Sequence, residues 1–245
     1  MCRFLENQIT SHMLRKTILI LFFMLYSLLH TSTYKAFSVV SQTVSNTCPS
    51  DVMYASMQLD GVVSRRAFRQ AVQGYEKIEG RQRNVLTLID FTRPSTEPRL
   101  FVFDMNEHKL IYSSLVAHGR NSGGNYATSF SNKEGSFQSS LGFYLTSDTY
   151  TGKNGYSLVL DGLEKGINDN ARSRAIVVHG AHYANPSVVQ AGGRLGRSLG
   201  CPALPQKVSR TIIDAIKGGS VMYVYADRQE YLSSSTILSP DVSTL

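Results

Sequence analysis

Cys201 and His179 are the pair of side chains in this 245-residue sequence whose types and spacing suggest nucleophilic chemistry. His179 closes the wholly apolar run Ala175-Ile176-Val177-Val178, and Cys201 follows 22 residues later. A buried strand places its terminal ring rigidly, and that interval lets a loop turn back toward it. A thiol acts as a nucleophile only as far as a neighbouring base or cation raises its thiolate fraction. Gly200 allows a tight turn and the close approach of a substrate carbonyl, and the N–H groups of Gly200 and Cys201 are candidates for an oxyanion hole. Pro202 sets the exit of the chain. Residue types alone are weak evidence for this and favour a second reading: a structural cysteine and a satisfied core histidine.

Other candidates are weaker. His182, 19 residues before Cys201, follows the strand into a loop where its orientation is less fixed, so His179 is favoured as the base. His118 lies on a long loop and reads as a solvated side chain near a groove. The stretch Gly192-Gly193-Arg194-Leu195-Gly196 lacks the Lys-Ser/Thr ending of a phosphate-binding loop. Asp161 and Glu164 sit at a strand end and are expected to cap or bond backbone. No Cys/His spacing suggests zinc. Of the three cysteines, Cys48 reads as incidental; a Cys48–Cys201 bridge would remove the thiol in question.

The elements that must position these residues are mostly strands. Asn84–Phe91, Leu100–Asp104 and Lys109–His118 read as the first three, the last two joined as a hairpin through Met105–His108. Leu141–Tyr150 and Tyr156–Gly162 follow, then Ala175–His179 and Ser220–Ala226. Residues 118–140 form a long Gly/Ser/Asn-rich loop, of the kind that is functional or mobile. Gln206–Lys217 predicts an amphipathic helix with Val208, Ile212, Ile213 and Ile216 inward, stopped by Gly218-Gly219. Residues 50–80 predict two helices broken near Gly61, with Ser50 or Asp51 capping the first and Ser64 the second. Their inward set is Met53, Met57, Val62, Val63, Ala67, Phe68, Ala71, Val72 and Tyr75. The fold class is therefore α+β, mainly β.

The N-terminus reads differently. Arg15 and Lys16 precede a 13-residue apolar run, Thr17–Leu29, too short for a comfortable membrane span of roughly 20 residues but suited to a signal-peptide core. Residues 1–36 are thus read as a signal peptide or N-terminal anchor, which would export the body. Residues 37–48 read as a linker, 49–82 as the helical segment, 83–230 as the main domain and 231–245 as a tail. Hydrophobic residues make up 42% and charged residues 18%, which excludes a mainly disordered chain. The net charge of +7 falls to +4 without residues 1–36, and no Lys/Arg-rich run exists. That gives little support to nucleic-acid binding and suits work beside an anionic polymer such as a cell wall.

The string His179-Gly180-Ala181, followed after eighteen residues by Ser198-Leu199-Gly200-Cys201, resembles the murein L,D-transpeptidase catalytic domain family (YkuD-like). Ile89–Ser95, Val116–Gly123, Phe130–Asn132, Ser139–Tyr144 and Asp169–Arg174 match the same family in the same order, so the resemblance covers roughly residues 50–226. It implies a β-sandwich or barrel with N-terminal helices and one C-terminal helix, its cysteine in a groove. It further implies that Cys201 attacks a peptidoglycan tetrapeptide stem, that His179 is the base, that the Gly180 carbonyl orients its ring, and that Ser198 supports the loop. The acyl group would pass to an amine, giving a 3→3 cross-link. Carbapenem-type inhibitors would be ligands of such a site, and the resemblance implies no metal or organic cofactor. Hydrolysis as a carboxypeptidase or endopeptidase, and a silent wall-binding protein, are the alternatives.

Two departures stand out. The family's histidine before Gly-Cys is Leu199 here, and Pro202-Ala203 replaces the usual residues after the cysteine. Arg194 and Arg197 are the expected substitutes for gripping a peptide carboxylate, since a guanidinium holds one bidentately. His182 is a further substrate-side candidate.

Overall fold

The computed structural model describes residues 24–26 and 48–239. The expected leader and linker therefore lie almost wholly outside the described residues. A compact unit begins at Ser50. Its first helices are α1 (Pro49–Ser56) and α2 (Arg65–Lys77). The Tyr54 hydroxyl closes the turn between them, within bonding distance of the Leu59 and Val63 carbonyls (3.0 and 2.6 Å). Ser64 caps α2 as expected, its hydroxyl accepting from Ala67 N–H. Helix α1 starts at Pro49, so both expected caps, Ser50 and Asp51, lie inside its first turn. Ala67, Phe68, Ala71, Val72 and Tyr75 form the buried stripe of α2, whereas Val62, expected inward, is exposed in the turn. Phe68 stacks edge-on against Phe103 of the sheet, at 5.2 Å between centroids.

Eight strands make one mixed sheet: β1 (Val85–Asp90), β2 (Leu100–Asp104), β3 (Lys109–Ser114), β4 (Gly142–Gly152), β5 (Gly155–Gly162), β6 (Val177–Ala181), β7 (Ala203–Pro205) and β8 (Val221–Tyr225). Their order is β3-β2-β1-β8-β4-β5-β6-β7. Only β1/β8 and β6/β7 pair in parallel. β1 and β8 are buried along their whole length, in keeping with their largely apolar sequences; Thr87 and Asp90 are the polar residues of β1. Helix α3 (Pro186–Gly192) follows a 3-10 turn at His182–Ala184, and α4 (Gln206–Ile216) packs on β6. A last helix, α5 (Gln229–Ser234), lies partly in the expected tail. In α4, Ile212, Ile213 and Ile216 are buried as expected, but Val208 is exposed. The first turn of α4 presents Ser209 to β6 instead, and Gly180 leaves the room: a Cβ there would stand 2.4 Å from Ser209 Oγ.

The sheet curls until its two edges nearly meet. Ala117, just past β3, bridges to Ala203 of β7, and Gly119 bridges to Ser198. Small side chains permit this approach: Ala117, Ala181, Ala184 and Ala203 pack with Leu195 in a separate apolar cluster. The nearly closed, mainly β architecture expected of the family is therefore present, and Cys201 lies in its seam.

Candidate active site at the sheet seam

Strand β6 and the turn before β7 position the two central residues. His179 pairs with Ala203 across the parallel ladder, so Cys201, two residues earlier, falls level with Val177. The contact agrees: Val177 N–H points at Cys201 Sγ (3.5 Å), and the thiol points at the Ala175 carbonyl (3.6 Å). His179 is two residues further along β6 on the same face, about 6.6 Å of strand rise. Both line one pocket of about 350 Å³, with Asn154, Arg174, Tyr183, Arg197, Ser198 and Leu199. Cys201 is 9% exposed, and it reaches solvent through this pocket. Among the described residues, no hydrogen bond joins the sulfur to the imidazole.

His179 has one nitrogen committed. Its Nδ1 lies 3.1 Å from the Gly180 carbonyl, which can only accept, so Nδ1 carries the proton and Nε2 has the lone pair. Burial holds the imidazole below its usual pKa, against that hydrogen bond. Burial pushes the Cys201 thiol up, opposed by Val177 N–H, the Arg174 charge and the cysteine's own N–H. The resting pair is thus a neutral thiol and a neutral imidazole, and a proton must leave the sulfur as it attacks.

Ser198 closes the cysteine turn on itself. Its hydroxyl accepts from Gly200 N–H (3.1 Å) and donates to the Cys201 carbonyl (2.6 Å). These two hydrogen bonds hold the turn before β7 closed. They also use the Gly200 N–H, so of the two expected oxyanion donors only the Cys201 N–H stays next to the sulfur. Gly200 itself is irreplaceable on geometry, with φ +131° and a Cβ position 2.9 Å from both Gln138 O and Ile176 Cδ1.

The long 118–140 loop is a brace. Ser198 N–H donates to His118 O, Arg120 N–H to Ser198 O, and Ser139 Oγ–H to Gly200 O. His118, read from sequence as solvated, is 1% exposed. Its Nδ1 faces Arg99 Nη2 at 2.8 Å and its Nε2 the Gly123 carbonyl at 3.5 Å. Burial and the Arg99 charge push its pKa down to about 4.

The remaining candidates separate. Arg197 lines the pocket, with Nη1 bonded to the Arg120 and Gly123 carbonyls. Arg194 points to the Leu195 carbonyl and does not line it. His182 lines an adjoining pocket of about 420 Å³, which shares Asn154, His179 and Tyr183 with the first. Leu199 is exposed at the rim. Glu164 accepts from Phe143 N–H as expected, but Asp161 forms a bidentate ion pair with Arg172. Cys201 is a free, buried thiol. Among the described residues, no group of three or more His, Cys, Asp or Glu side chains gathers as metal ligands. The sequence reading missed Arg174, Tyr183 and Asn154. Only Arg174 had a signal, as the last residue of a family-like stretch.

The sequence pattern of the L,D-transpeptidase catalytic domain family matches residues 60–225, more than half of the chain. The chain belongs to that family. It is thereby an enzyme domain of the transpeptidase or hydrolase kind. No curated protein matches it. Among solved structures it is similar to an L,D-transpeptidase from Mycobacterium smegmatis (13% identity, 58% of this chain and 59% of that one, TM-score 0.36). It is also similar to the helical cell shape determining protein Pgp2 from Campylobacter jejuni (12%, 65% and 56%, TM-score 0.42). A third is L,D-transpeptidase 3 from Mycobacterium tuberculosis with a faropenem-derived adduct (12%, 58% and 60%, TM-score 0.36). The chain spans about three fifths of the length of these proteins. No helix among the described residues is long and apolar enough to cross a membrane.

Proposed function

We propose that this L,D-transpeptidase domain acylates Cys201 with a peptidoglycan tetrapeptide stem and transfers the acyl group to an amine, forming a 3→3 cross-link. One observation carries the reading: sulfur and imidazole open to the same pocket, with the Gly180 carbonyl fixing His179 so that Nε2 is the basic nitrogen. His179 Nε2 takes the thiol proton as Sγ attacks the carbonyl carbon of the diaminopimelate residue. The C–N bond to the terminal D-alanine breaks, and the imidazolium returns the proton to the departing amine. An acceptor amine then attacks the thioester, an amide forms, and the proton passes back to sulfur. The Cys201 N–H faces the carbonyl oxygen as negative charge develops on it. Arg197 takes a stem carboxylate with the guanidinium nitrogens it does not spend on Arg120 and Gly123; Arg194, outside the pocket, is not assigned that task. Ser198 keeps the turn closed. His182 lines the adjoining pocket as a contact for the acceptor. Export past the cytoplasmic membrane by residues 1–36 supplies the wall as substrate, and a carbapenem would acylate the same sulfur.

Product analysis tests this. Purified tetrapeptide with a diaminopimelate-bearing acceptor should yield cross-linked dimer and free D-alanine. Tripeptide alone, whatever the acceptor concentration, would assign the domain to hydrolysis instead.

A further inference from the structure

Arg174 is the charged side chain of the pocket whose position is most fully determined. Its Nη1 donates to the Ser131 carbonyl (2.8 Å) and Ser140 Oγ (2.6 Å). Its Nη2 donates to the Gln138 carbonyl (2.6 Å) and Ser136 Oγ (3.2 Å). All four terminal N–H donors are thereby spent on the 131–140 segment, so the guanidinium neither swings nor grips a substrate carboxylate. It nevertheless lines the pocket with Cys201, and Nη2 lies 3.5 Å from where a Cβ on Gly200 would stand. The next residue, Ala175, holds a left-handed φ of +53° and turns its carbonyl to the thiol. An alanine in that conformation is strained and persists only where its surroundings hold it. The locked arginine beside it is such a surrounding.

We infer that Arg174 is a positioning residue: a fixed positive charge, held by the 131–140 segment beside the cysteine turn, that favours the Cys201 sulfur anion. This rests on the proposed role of Cys201 as nucleophile. The other titratable groups of the pocket do not supply the charge. His179 is kept neutral by burial, and Tyr183 is a phenol pushed up to about 12. Arg197 is solvent-exposed and turned to the 120–123 carbonyls. No carboxylate among the described residues acts appreciably on the sulfur, and Arg174 is the cation that lowers its pKa. Position 199, between Ser198 and Gly200, offers only an exposed leucine.

The test is the pH dependence of Cys201 alkylation by iodoacetamide in the full chain, followed by peptide mass mapping. R174Q should raise the midpoint and slow alkylation at pH 7 by about tenfold, since one pKa unit is tenfold in thiolate. R174K, which keeps the charge with fewer hydrogen bonds, should stay within about threefold of wild type, as should S140A, which removes one acceptor and keeps the charge. A wild-type midpoint in R174Q overturns the inference. So does a shift in R174K or S140A as large as that in R174Q, because loop geometry would then set the midpoint. Should R174Q not fold, R174K decides alone, and a tenfold loss there overturns the inference. Alkylation is read without tetrapeptide, so a failure of the transpeptidase reading shows separately, as absent turnover with the R174Q shift intact.

Discussion

His118 and His179 are both buried and both at the seam of the sheet, but their rings are held differently. His118 has both nitrogens occupied, one by the Arg99 guanidinium and one by the Gly123 carbonyl. Arg99 is itself fully buried, bonded to the Val116 and Arg93 carbonyls and stacked over Phe91, and its own pKa is drawn down to about 9 by burial. A cation against Nδ1 makes a second positive charge there prohibitive, so His118 is a neutral strut. His179 has a single fixed nitrogen, on a carbonyl that sets the tautomer, and its ring lines the cysteine pocket. Burial does not separate the two histidines; the number of ring nitrogens held by hydrogen bonds does.

The comparison can be broken by substitution. His179→Ala should slow acylation of Cys201 by tetrapeptide about 10²–10⁴-fold, the usual contribution of a general base, measured as single-turnover D-alanine release. An effect under threefold would remove His179 from the chemistry. His118→Gln should instead change stability. An imidazole held near 4 when folded and near 6.5 when unfolded gives stability that is complete above about pH 6.5 and lost as the pH falls toward 4. The loss is on the order of 3 kcal/mol, or about a hundredfold in the folding equilibrium. His179 acts in the same direction. Denaturant titrations at pH 7 and pH 4 should show a smaller drop between the two for His118→Gln than for wild type; equal drops would show that His118 is not the acid-sensitive strut. Ser198→Ala orphans the Gly200 N–H and the Cys201 carbonyl, a cost of about 1–3 kcal/mol. It should lower the melting temperature and slow acylation roughly ten- to a hundredfold. His182→Ala should change acylation less than about threefold, since His182 faces the neighbouring pocket. A larger effect than that of His179→Ala would exchange the two roles.

Much of this was legible in the sequence, for identifiable reasons. Leu100–Asp104 and the Ser64 cap were readable because a hairpin and an N-cap are local devices. The strand before His179 was read two residues early. Ala175-Ile176 is apolar like a strand, but Ile176 N–H is donated to the Ala171 carbonyl and Ala175 has positive φ, so both belong to a turn. β7 is only Ala-Leu-Pro, too short to show any period, and α3 buries no residue, so it has no apolar face to read. At the site, the pairing of cysteine, histidine and serine was visible because it follows one contiguous stretch. Arg174, Tyr183 and Asn154 were not, because their proximity to Cys201 depends on how the 131–140 loop, the 3-10 turn and the β4–β5 hairpin meet over β6.

The most direct measurement is the mass of the protein after incubation with purified tetrapeptide in the absence of an acceptor amine, with the modified residue located by peptide mapping. The expected result is a tripeptidyl thioester on Cys201, absent from Cys201→Ala and discharged by added amine. D-alanine release with Cys201 unmodified at every time point, or an adduct that persists in Cys201→Ala, would contradict it.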